Sequence, residues 1–240
     1  MTKVARRFDL TKPELTKKLA RFAELTSFSN VVEVPHAFGL KDFHLKGNWS
    51  GDHFKNESAI TLELACGKGE YTIEQAKLFP NRNFIGVDIK GNRMWKGAKQ
   101  AIIDQLPNAG FLRTRIDHID NLFAPNEIEE IWIIFPDPHK SKERKRLTSP
   151  IFLERYRRIM SPNGTVNLKT DNLQLYEYTM EVIEDYGLEV IDHSMDLYSD
   201  LDNQRSAFLN DREDVLRIRT FYEKMWLGQG LKINYISFRL

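Results

Sequence analysis

The stretch Ile60-Thr61-Leu62-Glu63-Leu64-Ala65-Cys66-Gly67-Lys68-Gly69-Glu70 decides the fold. Ile60–Leu64 reads as a strand, Ala65 to Gly69 as a glycine turn, and 71–79 as a helix. Glycine lets the backbone turn tightly and approach a ligand closely. The same unit repeats outward. Strands are expected at 83–87, 111–116, 130–135, 165–169, 188–193 and 232–238, and helices at 93–105, 151–160 and 173–186. Strands alternating with helices predict an α/β protein with a Rossmann-like, doubly wound, mostly parallel sheet. Seven strands are expected, one of them antiparallel near the C-terminus.

Residues 1–55 read as a basic N-terminal extension with an aromatic lead-in, and 56–240 as the domain carrying the alternation. Lys3, Arg6, Arg7, Lys12, Lys17, Lys18 and Arg21 make the extension basic. A helix over 13–25 is expected, with Thr11 as N-cap and Pro13 in its first turn. Val31 to Phe54 shows no clear period.

At 240 residues and 41% apolar content, the chain can bury a substantial core. No run has the length of a transmembrane helix and the polar N-terminus lacks a secretory apolar region, so no membrane association is expected. The single cysteine, Cys66, excludes an intrachain disulfide framework and suits a reducing cytoplasm. Cys66 is expected to be a small packed residue. The six histidines lack ligand-like spacing, so no metal is expected. Net charge is only +1, so polyanion affinity must come from local clusters. Monomer and homodimer both remain open.

The glycine loop lacks the third glycine of a dinucleotide fingerprint, because Thr72 occupies that place. Carboxylates mark the strand ends instead: Glu63 precedes the loop, Asp88 ends the second strand and Asp117 follows the third. In an open parallel sheet, ligands bind outside the carboxyl ends of the strands, so the three should line one crevice. An acidic crevice disfavours a phosphate-bearing cofactor. It suits S-adenosylmethionine, with its sulfonium, ammonium, ribose hydroxyls and adenine amino group. Asp88 would accept from the ribose, Asp117 from the adenine, and Glu63 sits nearest the methionine end. Solvated acids and a helix-capping turn are the bland alternative, and the recurrence at successive strand ends weighs against it.

The second motif is Phe135-Pro136-Asp137-Pro138, followed by Lys140-Ser141-Lys142-Glu143-Arg144-Lys145-Arg146, seven residues with five positive charges. The prolines hold Asp137 at the exit of a strand, on the rim of the crevice. Cations that neutralise phosphates add affinity by counterion release, while a carboxylate can read a base edge. Guanine offers two N–H donors on its Watson–Crick edge. Its N7 already carries a free lone pair, so methylation there requires alignment and charge stabilisation rather than a general base. An acid without a histidine dyad suits that reaction.

At these residues the chain resembles the bacterial tRNA (guanine-N7-)-methyltransferases, over most of residues 47 to 240. The motifs are Gly47-Asn48-Trp49 with Phe54, the loop Glu63 to Gly69, Phe135-Pro136-Asp137-Pro138, Lys169-Thr170-Asp171-Asn172, and Thr220-Phe221-Tyr222-Glu223. The resemblance implies a class I methyltransferase domain that uses S-adenosylmethionine and acts on a guanosine in the tRNA variable loop. It implies that Glu63, Gly67, Gly69, Asp88, Asp117 and Asp137 hold the methyl donor or its vicinity and that Asp137 is the catalytic acid. It further implies that Asp171, Thr220, Phe221, Tyr222 and Glu223 contact the guanosine. One departure is His139, where the family has tryptophan. The following stretch is also two residues shorter, so the substrate lysine is Lys140 or Lys142, with Lys140 favoured. From the residues alone, Asp171 or Asn172 would read as a helix N-cap, and Trp95, Trp132 and Trp226 as packing. Two rival readings are an N-methyltransferase of a protein or small molecule and a non-catalytic tRNA-binding subunit.

Overall fold

The structure, a computed structural model, describes residues 13–40 and 42–240, with side chains from residue 17. The strands are β1 (Val31–Glu33), β2 (Ile60–Leu64), β3 (Asn83–Asp88), β4 (Ala109–Arg113), β5 (Ile128–Ile134), β6 (Met160–Thr170), β7 (Glu189–Ser194) and β8 (Asn234–Arg239). They form one eight-stranded sheet in the order β1-β4-β3-β2-β5-β6-β8-β7. All pairings are parallel except those of β8, which runs antiparallel to both β6 and β7. The mostly parallel sheet with one antiparallel strand is thus as expected. The eighth strand is β1, from the stretch without a period: three residues are too short to show one.

The helices among the described residues are α1 (Pro13–Leu25), α2 (Glu70–Leu78), α3 (Gly91–Ile103), α4 (Pro150–Arg157), α5 (Leu173–Asp185), α6 (Leu197–Asp202), α7 (Ala207–Asp211), α8 (Glu213–Leu216) and α9 (Phe221–Gly228). The expected cap Thr11 and the basic residues Lys3, Arg6, Arg7 and Lys12 lie outside the described residues. Four short helices, α6 to α9, fill the connection from β7 to β8. Helices of four to eight residues complete too few turns to show a 3.6-residue period, which is why the sequence left most of this stretch unassigned.

Central parallel strands are buried on both faces, and β2 and β3 are buried along their whole length. On one face, Ile60, Leu62 and Leu64 join Ile131, Ile133 and Phe152 in the main core. On the other, Tyr71, Trp132, Ile134 and Tyr235 pack with residues of α6 to α8. The aromatic lead-in belongs to the main core. Trp49 is fully buried, stacks on Phe123 at 5.1 Å and donates its indole N–H to the Leu122 carbonyl at 2.9 Å.

The sheet reverses its winding between β2 and β5. From β2 the chain builds outward through β3 and β4, then returns to add β5 on β2's other edge. Loops leaving the two strands diverge there and open a crevice at their carboxyl ends.

Candidate cofactor and substrate site

Both loops at the winding reversal start with a residue forced into left-handed backbone: Ala65 after β2 (φ 58°) and Phe135 after β5 (φ 48°). Non-glycine residues rarely adopt this region, and such strain collects where a fold positions ligands. Gly67 (φ 56°) and Gly69 (φ 68°) complete the first turn. Gly69 is required for space as well, since a Cβ there would lie 2.4 Å from the Phe111 ring.

The backbone of this turn fixes two of the expected carboxylates. Asp88 Oδ2 accepts the Gly67 N–H at 2.9 Å, and Oδ1 accepts the Lys90 N–H at 2.7 Å. Glu63 Oε2 accepts the Thr72 N–H at 2.7 Å and the Thr72 hydroxyl. Burial pushes the Glu63 carboxyl up to about 8, against the lowering effect of its bonds to Thr72. Burial likewise pushes the Cys66 thiol well up, and Cys66 is packed in the turn as expected.

A cavity of about 660 Å³ runs along the strand ends and brings Asp88, Asp117 and Asp137 together, with Ala65 and Phe135 in its wall. Asp117 follows the third strand of the alternation, as expected, in a short 3-10 helix over Ile116–Asn121, and Arg115 lies 3.5 Å from it. A smaller cavity of about 130 Å³ adjoins the first through Ala65 and Phe135. Its walls include Glu63, Gly67, Thr220, Tyr222 and Trp226. Trp226 packs on Phe135 at 4.8 Å and stacks on Tyr222 at 5.8 Å, so it is packing that also walls the site.

Asp137 is the most open of the acids, with a side chain 72% exposed. It accepts the His139 backbone N–H at 3.0 Å. No histidine dyad is expected at Asp137, and His139 Nδ1 lies 3.8 Å from its Oδ1. That distance is too long for a hydrogen bond, so the two form no dyad.

The basic run divides. All four outer cations line a shallow hollow, but only Arg144 and Lys145 also line the crevice beside Asp137. Arg146 is buried. It donates to the Pro138 carbonyl at 3.0 Å, pairs with Glu143 at 3.2 Å and lies 4.2 Å over Tyr178. The fifth cation is therefore the clamp of the loop.

The late motif is a helix start. Thr220 caps α9 in a capping box with Glu223, whose carboxylate is fully buried. That carboxylate lies 2.7 Å from the equally buried Lys169 ammonium and accepts the Tyr198 hydroxyl at 2.7 Å. Lys169 also donates to the carbonyls of Leu216 and Ile218 at 3.0 and 3.1 Å, so its three donors are all satisfied. Burial pushes the Lys169 ammonium down, and Glu223 opposes this. The pair fastens the α8–α9 segment to the middle of the sheet. Glu223 thus holds Thr220 from behind rather than facing the cavity. The signal for Lys169 was a lone charge inside an apolar strand. At the end of β6, Asn172 is the cap of α5, accepting the Leu175 N–H at 2.8 Å. Asp171 is left uncapping and half-buried, its carboxyl raised by burial.

The donor set fits S-adenosylmethionine. Acids meet hydroxyl and amine donors along the crevice, and the left-handed glycine turn leaves a cradle that side chains would fill. Among the described residues, no group of three or more possible ligands could hold a metal ion, and no helix is long and apolar enough to cross a membrane.

The fold and crevice define a methyltransferase of the S-adenosylmethionine-dependent class. In solved structures, the 16S rRNA methyltransferase KamB is similar, with TM-score 0.58 at 15% identity over 83% of this chain and 96% of that one. A 16S rRNA (adenine-N1)-methyltransferase from Catenulisporales acidiphilia, solved with its cosubstrate, is similar with TM-score 0.53. At this identity both speak to the fold alone. Residues 57–234 match the family described as "Putative methyltransferase". The tRNA (guanine-N(7)-)-methyltransferase of Bacteroides fragilis is 46% identical over 225 residues, 93% of this chain and 85% of that protein. The one of Christiangramia forsetii is 45% identical over 93% of this chain and 97% of its own. The chain belongs to the tRNA (guanine-N7-)-methyltransferase family.

Proposed function

We propose that this chain transfers a methyl group from S-adenosylmethionine to N7 of a guanosine in the tRNA variable loop. The observation that carries the reading is the shared wall of the two cavities. Ala65 and Phe135 join an acidic crevice suited to the ribose and adenine of the methyl donor to a smaller pocket in which Glu63 and Gly67, at its methionine end, meet Tyr222 and Trp226, and Asp137 lines the crevice two residues beyond Phe135.

S-adenosylmethionine supplies an electrophilic methyl on a sulfonium, whose bonding electron pair leaves with sulfur. Asp88 and Asp117 hold hydroxyl and amine donors in the crevice, while the glycine turn brings backbone N–H groups close. Asp137 accepts from the Watson–Crick edge of guanine, and its charge offsets the positive charge that appears on the ring. No proton has to leave N7, so no general base is needed. Tyr222, Trp226 and Thr220 enclose the unstacked base. Glu223 fixes Thr220, Phe221 stands at the mouth, and Asp171 lies on the adjoining strand end. Lys140 and Lys142 on the outer hollow, with Arg144 and Lys145 at the crevice, take backbone phosphates. A reducing cytoplasm, where a lone thiol persists, is the compartment this reading assigns.

Unmodified tRNA incubated with the protein and labelled S-adenosylmethionine tests the reading. Nucleoside analysis should recover the label as N7-methylguanosine. Label on protein or on another nucleoside would favour the rival N-methyltransferase, and binding of tRNA without transfer would favour the non-catalytic subunit.

A further inference from the structure

We propose that the groove between α2, α3 and the α8–α9 segment is a second RNA-backbone site, which holds the strand flanking the target guanosine. The proposal rests on the tRNA reading above and deepens it. The groove is the largest cavity described, about 880 Å³, and lies outside the crevice and the aromatic pocket. Lys68, Lys96, Arg219 and Lys224 line it, and none of them has a carboxylate within 4.0 Å among the described residues.

The groove's other two cations are held by acids. Lys77 is held by Glu74 at 3.0 Å and Asp104 at 3.1 Å, and Arg217 by Asp202 at 2.6 Å and Glu213 at 2.5 Å. Glu70 accepts the Phe221 backbone N–H at 2.9 Å, which ties α9 to the start of α2. Glu70 and Asp214 are the groove's carboxylates without a cation partner among the described residues, against four cations free of acid partners. Six cations and three carboxylates line the groove itself, in a chain whose net charge is only +1.

Two adjacent aromatics diverge at the groove's mouth. Tyr222 lines the small pocket, while Phe221, 57% exposed, lines the groove with Lys68 Nζ 4.5 Å over its ring. Lys68 and Glu70 line both cavities, so the two are continuous. A polymer leaving the pocket therefore meets an exposed ring and then four unpaired cations. Cations that track a backbone, with an aromatic face for a base, are what a single nucleic-acid strand requires. An acidic peptide would use the cations but has no need of a ring beside the base pocket. The target nucleotide is then gripped from two sides, by the run at Lys140 to Lys145 and by this groove.

The test is tRNA binding across a salt series with the double variant Lys96→Gln/Lys224→Gln. Both side chains are exposed and stand outside the crevice. The slope of log affinity against log salt should fall by about 1.5, and affinity near ~0.1 M salt by roughly tenfold. S-adenosylmethionine affinity and melting temperature should be unchanged, and turnover at saturating tRNA should stay within about twofold while KM for tRNA rises. A wild-type slope and wild-type affinity in the variant would overturn the proposal, including the case in which the groove serves an acidic protein. Binding is read independently of turnover. Wild-type protein that yields no N7-methylguanosine would instead overturn the reaction assigned above, and the slope would still decide the groove.

Discussion

The two walls of the site are built to different rules. On the cofactor side, Glu63 and Asp88 are 4% and 8% exposed, and backbone N–H groups hold each of them. On the substrate side, the Asp137 side chain is 72% exposed on a turn between the left-handed residues Phe135 and His139, and its one hydrogen bond among the described residues is from a backbone N–H two residues on. A small cofactor is recognised by groups fixed before it arrives, because every bond length matters. A large polyanion brings its own charge and can complete an open rim, so the protein needs only to fix the frame behind it. Lys169 with Glu223, and Arg146 with the Pro138 carbonyl, are that frame.

Several substitutions sharpen or break this contrast. The largest effect is expected behind the rim. Lys169→Met leaves the Glu223 carboxylate buried without its cation and should cost about 3–5 kcal/mol in a denaturant titration. Replacing both partners, as Lys169→Met with Glu223→Leu, should recover much of that. A single variant as stable as the wild type would mean the pair is not the anchor of α9.

Next comes the fixed wall. Gly69→Ala puts a methyl group against the Phe111 ring in left-handed backbone and should cost roughly 1–3 kcal/mol. It should also weaken S-adenosylmethionine binding in calorimetry. Unchanged cofactor affinity would show that the turn is not preorganised for the ligand.

The open rim should respond to charge more than to shape. Arg144→Ala/Lys145→Ala and Lys140→Ala/Lys142→Ala should each reduce the salt slope of tRNA binding, by about 1.5. Only the first pair lines the crevice, so only it should alter cofactor affinity. Equal behaviour of the two pairs in both assays would erase the division of the run.

The remaining effect is a pH dependence. Glu63 keeps its proton up to about pH 8 in the fold, whereas the unfolded chain loses it near 4.5. Between those values the native state binds the extra proton, so this group's contribution to stability falls as pH rises. Melting temperature should therefore decline more steeply from pH 6 to pH 8.5 in the wild type than in Glu63→Gln. Parallel curves would remove Glu63 as the source.

Much of this was legible in the sequence because it is carried by local pattern. The apolar run into a glycine turn at Ile60 to Gly69, and the recurring strand–helix alternation, gave the sheet and the rim on which Glu63, Asp88, Asp117 and Asp137 stand. The identity of the buried lock was not legible, because Lys169 and Glu223 are 54 positions apart and meet only through tertiary packing. The division of the basic run was hidden for a similar reason. Nothing local distinguishes Arg146 from Arg144, and only the position of Tyr178 and the Pro138 carbonyl decides which of them turns inward. The cationic groove draws on three separate segments, so no stretch of the chain displays it.

The central claim is that Asp137 acts on the base during transfer. Single-turnover transfer with Asp137→Ala, at saturating S-adenosylmethionine and tRNA, tests this most directly. The account predicts a rate at least about a hundredfold below wild type with tRNA affinity nearly unchanged. A variant that transfers at the wild-type rate would contradict it.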